Sequence, residues 1–298
     1  MKILAILVLY QQPAAESVAF QTLTQALSGN NELHNCIDIY LYDNSSVAQP
    51  VPSIPSIRLF YQHDASNGGL VAAYKSALQH ALADEYLWLL LLDQDTELSG
   101  DFLSALLVAV NRLNEDQQIA AIVPKLAFQG KILSPFQLTW FGQRTLSSEF
   151  EGATLSPITA FNSGAAFRVD FLKFIDDFGS TFWLDYLDYR LFHAVASAGK
   201  AVFVLPIQLQ HALSLTNHKE YMSHFRYQNY LSAEAAFTRK YRSRLTYAIL
   251  PVKLVARAIK HIFLRRDSWY AKETIRRALR ETICLMRFPF HISTHPDQ

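Results

Sequence analysis

Two aspartates separated by one glutamine close the segment YLWLLLLDQDTEL, residues 86–98, directly after a run of apolar residues. At such a turn Asp93 and Asp95 can present carboxylate oxygens to one hard cation. Mg2+ or Mn2+ suits these ligands and also takes oxygens from a bound diphosphate. The same spacing would also serve a turn or a helix N-cap. Polar residues recur at comparable places: Tyr10 ends ILAILVLY, Asp43 and Asn44 end IDIYLYD, and Asn67-Gly68-Gly69 follow IRLFYQ. A second acidic stretch, FWLDYLDYR, carries Asp185 and Asp188, and His211 follows the apolar run AVFVLP.

The elements that must hold these residues alternate. ILAILVLY, IDIYLYD, IRLFYQ and YLWLLLLD read as strands, while residues 14–28, 68–83 and 101–115 carry helical spacing. Runs apolar on both faces, separated by helices, predict a mainly parallel α/β sheet covered on both sides. Ligands in such sheets collect at the carboxyl ends of the strands, so four polar tips along one edge predict a cleft for a polar ligand. A second block, about 119–212, holds the strand IAAIVPKLAF, a loop region near 130–158, AFNSGAAFRVDFL, and then an acidic loop, a helix and a strand.

The chain has 298 residues, half of them apolar and 18% charged, which suits a buried core and excludes a disordered chain. Its net charge of +1 conceals an acidic body and a basic tail: Arg239 to Gln298 carries +10 and the preceding residues −9. Cys36 and Cys284 are the two cysteines, without companions at ligand spacing, which argues against a disulfide framework or zinc and fits a reducing cytoplasm. MKILAILVLYQQP lacks a small-residue cleavage site and breaks at Gln11 and Gln12, so it reads as a buried first strand. No window has the roughly 18 uncharged apolar residues of a membrane span.

Taken in order, Tyr10, YDNSS at 42–46, NGGLVAAYKSAL at 67–78, LLLDQDTEL at 90–98, NSGAAFRVDFL at 162–172 and FWLDYLDYRLFHAVASAGKAVFVLP at 182–206 resemble glycosyltransferase family 2, and within it the bacterial rhamnosyltransferases. The likeness spans roughly residues 1–240. It implies a GT-A fold, a nucleotide-diphosphate sugar donor, a divalent metal and an inverting mechanism. Asp43 then matches the acid that bonds the pyrimidine edge, and Asn67 and Gly69 match the loop under the nucleotide. Tyr10 joins them at the donor edge. Lys75 stands where relatives carry asparagine and could meet phosphate or solvent. Asp93 matches a contact to ribose and metal, Asp95 the direct metal ligand, and His211 a metal or diphosphate contact or a structural histidine.

Inversion needs a carboxylate to take the acceptor hydroxyl's proton on the face opposite the leaving group, a task worth about 10²–10⁴ in rate. Many relatives read Glu-Asp-x-Asp here, whereas this chain has Tyr186 at the base position. The resemblance therefore points to Asp185 as base, with Asp188 as the alternative that could instead cap the following helix. Trp183 and Tyr186 in the same loop could stack on a sugar. In HFRYQN, residues 224–229, Gln228 stands where relatives carry arginine, and Arg226 could take its place.

The expected organisation is a catalytic domain over 1–212, divided into a nucleotide-binding half at 1–98 and an acceptor half at 99–212, followed by a helical, basic, amphipathic region at 213–298. In PVKLVARAIKHIF one stripe holds Val252, Val255, Ile259 and Phe263, and another face holds Lys253, Arg257 and Lys260. A cationic interfacial helix fits the anionic inner leaflet of a plasma membrane. The alternatives are packing on the catalytic domain or a homodimer surface, and no nucleic-acid motif is present. The expected activity is Mg2+- or Mn2+-dependent transfer of rhamnose from dTDP-rhamnose to a glycan or lipid-linked acceptor in surface polysaccharide synthesis, by a cytoplasmic protein held at the inner face of the membrane. Transfer of another sugar, a catalytically silent scaffold of the same fold, and a nucleotidyltransferase are the competing readings. The last lacks its usual Gly-rich, cationic N-terminal loop.

Overall fold

Uninterrupted apolar runs become strands buried on both faces. β1 (Ile3–Leu9), β2 (Ile37–Asp43) and β4 (Trp88–Asp93) are buried along almost their whole length, and β3 (Leu59–His63) is the half-buried edge strand. The computed structural model describes residues 2–55, 57–140, 142–175, 178–210, 222–265 and 268–287. The chain divides into two compact units, Met1–Leu213 and Ser214–Gln298.

In the first unit the sheet order is β3-β2-β1-β4-β10-β5-β11-β9, ending on β9 (Gly152–Thr154), with β6 (Lys131–Ser134) paired to β5. β1 to β4 run parallel, as do β5 (Ile119–Phe128) and β11 (Ala201–Gln210). β10 (Ala165–Arg168) lies antiparallel between β4 and β5. Register aligns the tips: Leu9 pairs with Asp43, Val8 with Asp93, and Asp43 with His63. The polar residues that end these strands therefore share one edge.

α1 (Val18–Gly29), α2 (Asn31–Cys36) and α4 (Gly100–Leu113) cover one face, where Phe20, Leu23, Phe102 and Leu106 pack on Ile3, Ala5, Leu41 and Leu90. α3 (Gly69–Ala83) lies against β1 and β4 on the other face, and the Tyr40 hydroxyl meets Ser76 on it at 2.7 Å. α5 (Val169–Lys173) and α6 (Leu187–Ser197) complete the helices of this unit among the described residues. α1 begins at Val18 rather than at residue 14 because Ser17 caps it, accepting from the Phe20 amide, and a 3-10 turn precedes it. α2 was not expected; its six residues start where the Asn30 side chain accepts from the amides of Glu32 and Leu33.

The region near 130–158, expected as loop, contains β6 (Lys131–Ser134), β7 (Phe136–Leu138), β8 (Gln143–Thr145) and β9 (Gly152–Thr154). Strands of three or four residues are too short to show a period, and β9 gains its partner only from distant β11.

The second unit holds α7 (His224–Tyr241), α8 (Arg244–Lys260), a π turn at His261–Arg265, and α9 (Ser268–Arg287). Tyr227, Leu231, Leu250, Leu254, Tyr270 and Ala278 form its core. Arg257 grips Glu234 with two bonds of 2.6 and 2.7 Å, a bidentate pair at the edge of that core. Among the described residues no helix is long and apolar enough to cross a membrane.

Candidate active site

The middle residue of Asp93-Gln94-Asp95 anchors the turn. The Gln94 side-chain oxygen accepts from the Tyr10 amide at 2.8 Å, and its carbonyl accepts from the buried Ser17 hydroxyl at 2.8 Å. The β1 tip and the start of α1 thus hold the acid pair in place. Asp93 accepts a further hydrogen bond from the Ser163 hydroxyl, delivered by the segment that enters β10. Asp95 is half-buried in the same turn.

Asp43 is fully buried. Its oxygens accept from the amides of Ser45 at 2.9 Å and Gln49 at 2.8 Å and from the Tyr61 hydroxyl at 2.8 Å. Burial pushes the carboxyl up, but these hydrogen bonds outweigh it and hold the group below its usual value. Both oxygens are engaged with the turn that follows β2 and with β3.

Asp64 organises the next loop. One oxygen accepts from the Ser66 amide and hydroxyl, the other from the Gly68 amide at 2.9 Å and the Tyr42 hydroxyl at 3.0 Å. Asn67 then adopts φ +53° and Gly69 φ +70°, and the chain enters α3. Trp183 sits on this loop. Its indole nitrogen donates to the Asn67 carbonyl, and its own carbonyl accepts from the Leu70 amide, both at 3.0 Å. The indole edge of Trp183 is therefore engaged with the chain. Tyr186 stands beside Tyr189, ring centroids 4.5 Å apart, and its φ of +68° starts α6.

That turn delivers Asp188 to the first helical turn, where its oxygen accepts from the Tyr189 amide at 2.9 Å. Burial, reinforced by the negative charges of Asp185 and Asp93, pushes the Asp188 carboxyl up to about 7. The fully buried phenol of Tyr74, on α3, is raised well above its usual value by burial and then by Asp93 and Asp188, with Asn162 beside it. Asp188 therefore lies within electrostatic reach of both Asp185 and Asp93, and Tyr74 within reach of Asp93 and Asp188.

Of the residues singled out in the sequence, Asp93, Asp185 and Asp188 converge, and Asn67 and Gly69 join them through Trp183. Tyr10 is exposed at the tip of β1, with its amide on Gln94. Lys75 is exposed on α3. His211 lies outside the described residues. Among the described residues no group of three His, Cys, Asp or Glu could hold a metal ion. Ser163, Asn162, Tyr74, Gln94 and Asp64 were not expected at the site. Asn162 and Ser163 open NSGAAFRVDFL, Tyr74 lies in NGGLVAAYKSAL and Gln94 in LLLDQDTEL, and Asp64 had its own local signal in the turn-forming HDASNGG.

The model of glycosyl transferase family 2 matches residues 15–168. No curated protein matches the chain. Among solved structures the fold is similar to S. aureus TarS 1-349, with a TM-score of 0.51 and 14% identity, covering 98% of this chain and 93% of that one. A longer crystal structure of S. aureus TarS has a TM-score of 0.48 and 13% identity, covering 94% of this chain and 54% of that one. At this identity the likeness to TarS is one of fold, and the parallel sheet interrupted by antiparallel β10 is the GT-A arrangement. With more than half of its length matched, the chain belongs to glycosyl transferase family 2.

Proposed function

We propose that the protein is an inverting, Mg2+- or Mn2+-dependent glycosyltransferase that moves L-rhamnose from dTDP-rhamnose to a hydroxyl of a glycan or lipid-linked acceptor in surface polysaccharide synthesis, working at the inner face of the plasma membrane. One observation carries the reading: the carboxylate at the tip of β4 and Asp185 of the acidic loop both lie close enough to Asp188 to add to the burial that pushes its carboxyl up. An inverting transferase needs carboxylates on both sides of the anomeric carbon, one to take the acceptor proton and others to hold a cation on the leaving diphosphate. The rhamnose assignment rests on the sequence resemblance.

Asp93 and Asp95 offer two carboxylates on a rigid turn, a donor set that fits a hard cation completed by diphosphate oxygens, with His211 as a further ligand from the sequence. When bound, the cation would offset charge developing on the nucleoside diphosphate. Asp185 takes the acceptor proton as the acceptor oxygen bonds to the anomeric carbon, and the sugar–phosphate bond breaks on the opposite face. Asp188, protonated up to near neutral pH, limits the negative charge beside Asp185.

Purified protein supplied with Mg2+ or Mn2+ should slowly hydrolyse its donor sugar, and Asp95→Ala should remove that activity. A melting-temperature screen of dTDP- and UDP-sugars with metal names the donor. If none shifts the transition, the proposal fails.

A further inference from the structure

The second unit turns large aliphatic side chains outward. α9 buries Tyr270, Thr274, Ala278 and Glu281, a face with two hydroxyls and a carboxylate, yet leaves Leu279 59% and Met286 73% exposed, with Ile275 and Ile283 beside them. Their spacing places them on one stripe. α8 does the same: Leu250, Leu254 and Ala258 face the core, while Val252 is 68% exposed and Val255 and Ile259 are nearly half exposed. Phe263, in the turn that follows, is 75% exposed. Apolar surface costs roughly 25 cal/mol per Å² when left in water, and folded chains seldom leave such stripes bare unless something covers them.

Charge identifies the cover. Lys260, Lys272, Arg276, Arg280 and Arg287 are exposed along the two helices. α8 has no carboxylate, and the two on α9 are turned inward: Glu273 pairs with Arg276, and Glu281 with Arg277 and Tyr247. A second copy of the chain would set like charges against each other. An anionic bilayer satisfies both features, because aliphatic groups enter the headgroup–acyl boundary while cations reach lipid phosphates on long stems.

We infer that α8 and α9 form a lipid-docking surface, with Val252, Val255, Ile259, Ile275, Leu279 and Ile283 inserted and the flanking lysines and arginines on anionic headgroups. The inference deepens the proposed membrane setting and rests on it for its biology alone, since lipid binding needs neither donor nor acceptor.

The test sediments the full chain with sucrose-loaded vesicles of phosphatidylcholine, with or without phosphatidylglycerol. Binding to the anionic vesicles alone, weakened by salt, is expected. Ile259→Glu with Leu279→Glu should lower partitioning by about ten-fold or more while the melting temperature stays unchanged, because both positions are exposed. Lys272→Glu with Arg280→Glu should remove the preference for phosphatidylglycerol. Equal pelleting of parent and Ile259/Leu279 variant, absence of binding to anionic vesicles, or a solution dimer that the same pair of substitutions dissociates would each overturn the inference. A protein that binds vesicles but hydrolyses no donor sugar leaves it standing and removes the transfer proposal instead.

Discussion

The indole nitrogen of Trp183 donates to the carbonyl of Asn67 at 3.0 Å, and the Trp183 carbonyl takes the Leu70 amide at the same distance. Of the two glycines between them, Gly69 has φ +70°, and a Cβ there would lie 2.4 Å from the Trp183 carbonyl oxygen and 2.5 Å from the indole nitrogen. Glycine is needed twice, for its backbone angle and for this approach. The loop carrying Asp185 is consequently fastened to the loop that opens α3, and Asp64 holds that second loop from its own side.

Breaking the fastening should separate folding from turnover. Trp183→Phe loses one hydrogen bond and should cost about 1 kcal/mol in urea unfolding. Gly69→Ala, forced into a left-handed angle against a neighbouring backbone, should cost about 3 kcal/mol or more. In Trp183→Phe the donor-induced rise in melting temperature should persist while kcat for transfer falls roughly ten-fold, because the base is displaced and the donor edge is not. Loss of donor binding in parallel with kcat would contradict this role.

Asp43 should behave as a structural acid. Asp43→Ala leaves the Ser45 and Gln49 amides and the Tyr61 hydroxyl without their acceptor, and should destabilise the protein by about 2 kcal/mol. Because the folded carboxyl lies below its usual 3.8, the parent holds this stability above that pH and loses it as pH falls through the folded value. Acid titration of unfolding free energy should therefore be shallower in Asp43→Ala. Identical slopes for parent and variant would refute the assignment.

Much of this arrangement was legible in the residues. β1, β2, β4 and β5 are buried on both faces, so β1 and β4 appear as unbroken apolar runs and β2 and β5 as runs broken inside only by buried Asp38 and Lys125, and the polar ends of β2 and β4 mark the edge where Asp93 lies. β10 could not be read the same way: AAFR is four residues long, and its antiparallel place between β4 and β5 depends on pairings with Leu90 and Ile122 far along the chain. Asn67-Gly68-Gly69 looked like any turn, since what demands a glycine is Trp183, more than a hundred residues away. The exposed stripe of α8 was visible as a period, but only the packing of Leu250 and Leu254 decides which stripe faces out.

Ser163 should tune the acid it touches. Ser163→Ala removes the hydroxyl that donates to Asp93 and leaves both carboxylates of the turn in place. Metal-supporting carboxylates depend on such partners, so the Mn2+ concentration needed for half-maximal donor hydrolysis should rise about ten-fold, with activity restored at saturation. Asp95→Ala should not recover at any Mn2+ concentration. A Ser163→Ala profile superimposable on the parent's would show the bond to be incidental.

Asp188 supplies a test that needs no substrate. Its folded value of about 7 exceeds the ordinary 3.8, so between these two pH values the folded protein holds a proton that the unfolded chain has released. Stability from this group is therefore fully present below 3.8 and is lost as pH rises through about 7. Asp188→Asn removes the titration while keeping a similar shape beside Asp185, Asp93 and Tyr74. Melting temperatures measured in chelator should place parent and Asp188→Asn closest at low pH and let the parent fall behind through neutrality, the gap levelling off above it. If the gap is constant across that range, Asp188 is ionised throughout, and the crowding of Asp93, Asp185 and Asp188 would have to be relieved in solution by separation of the acidic loop from β4.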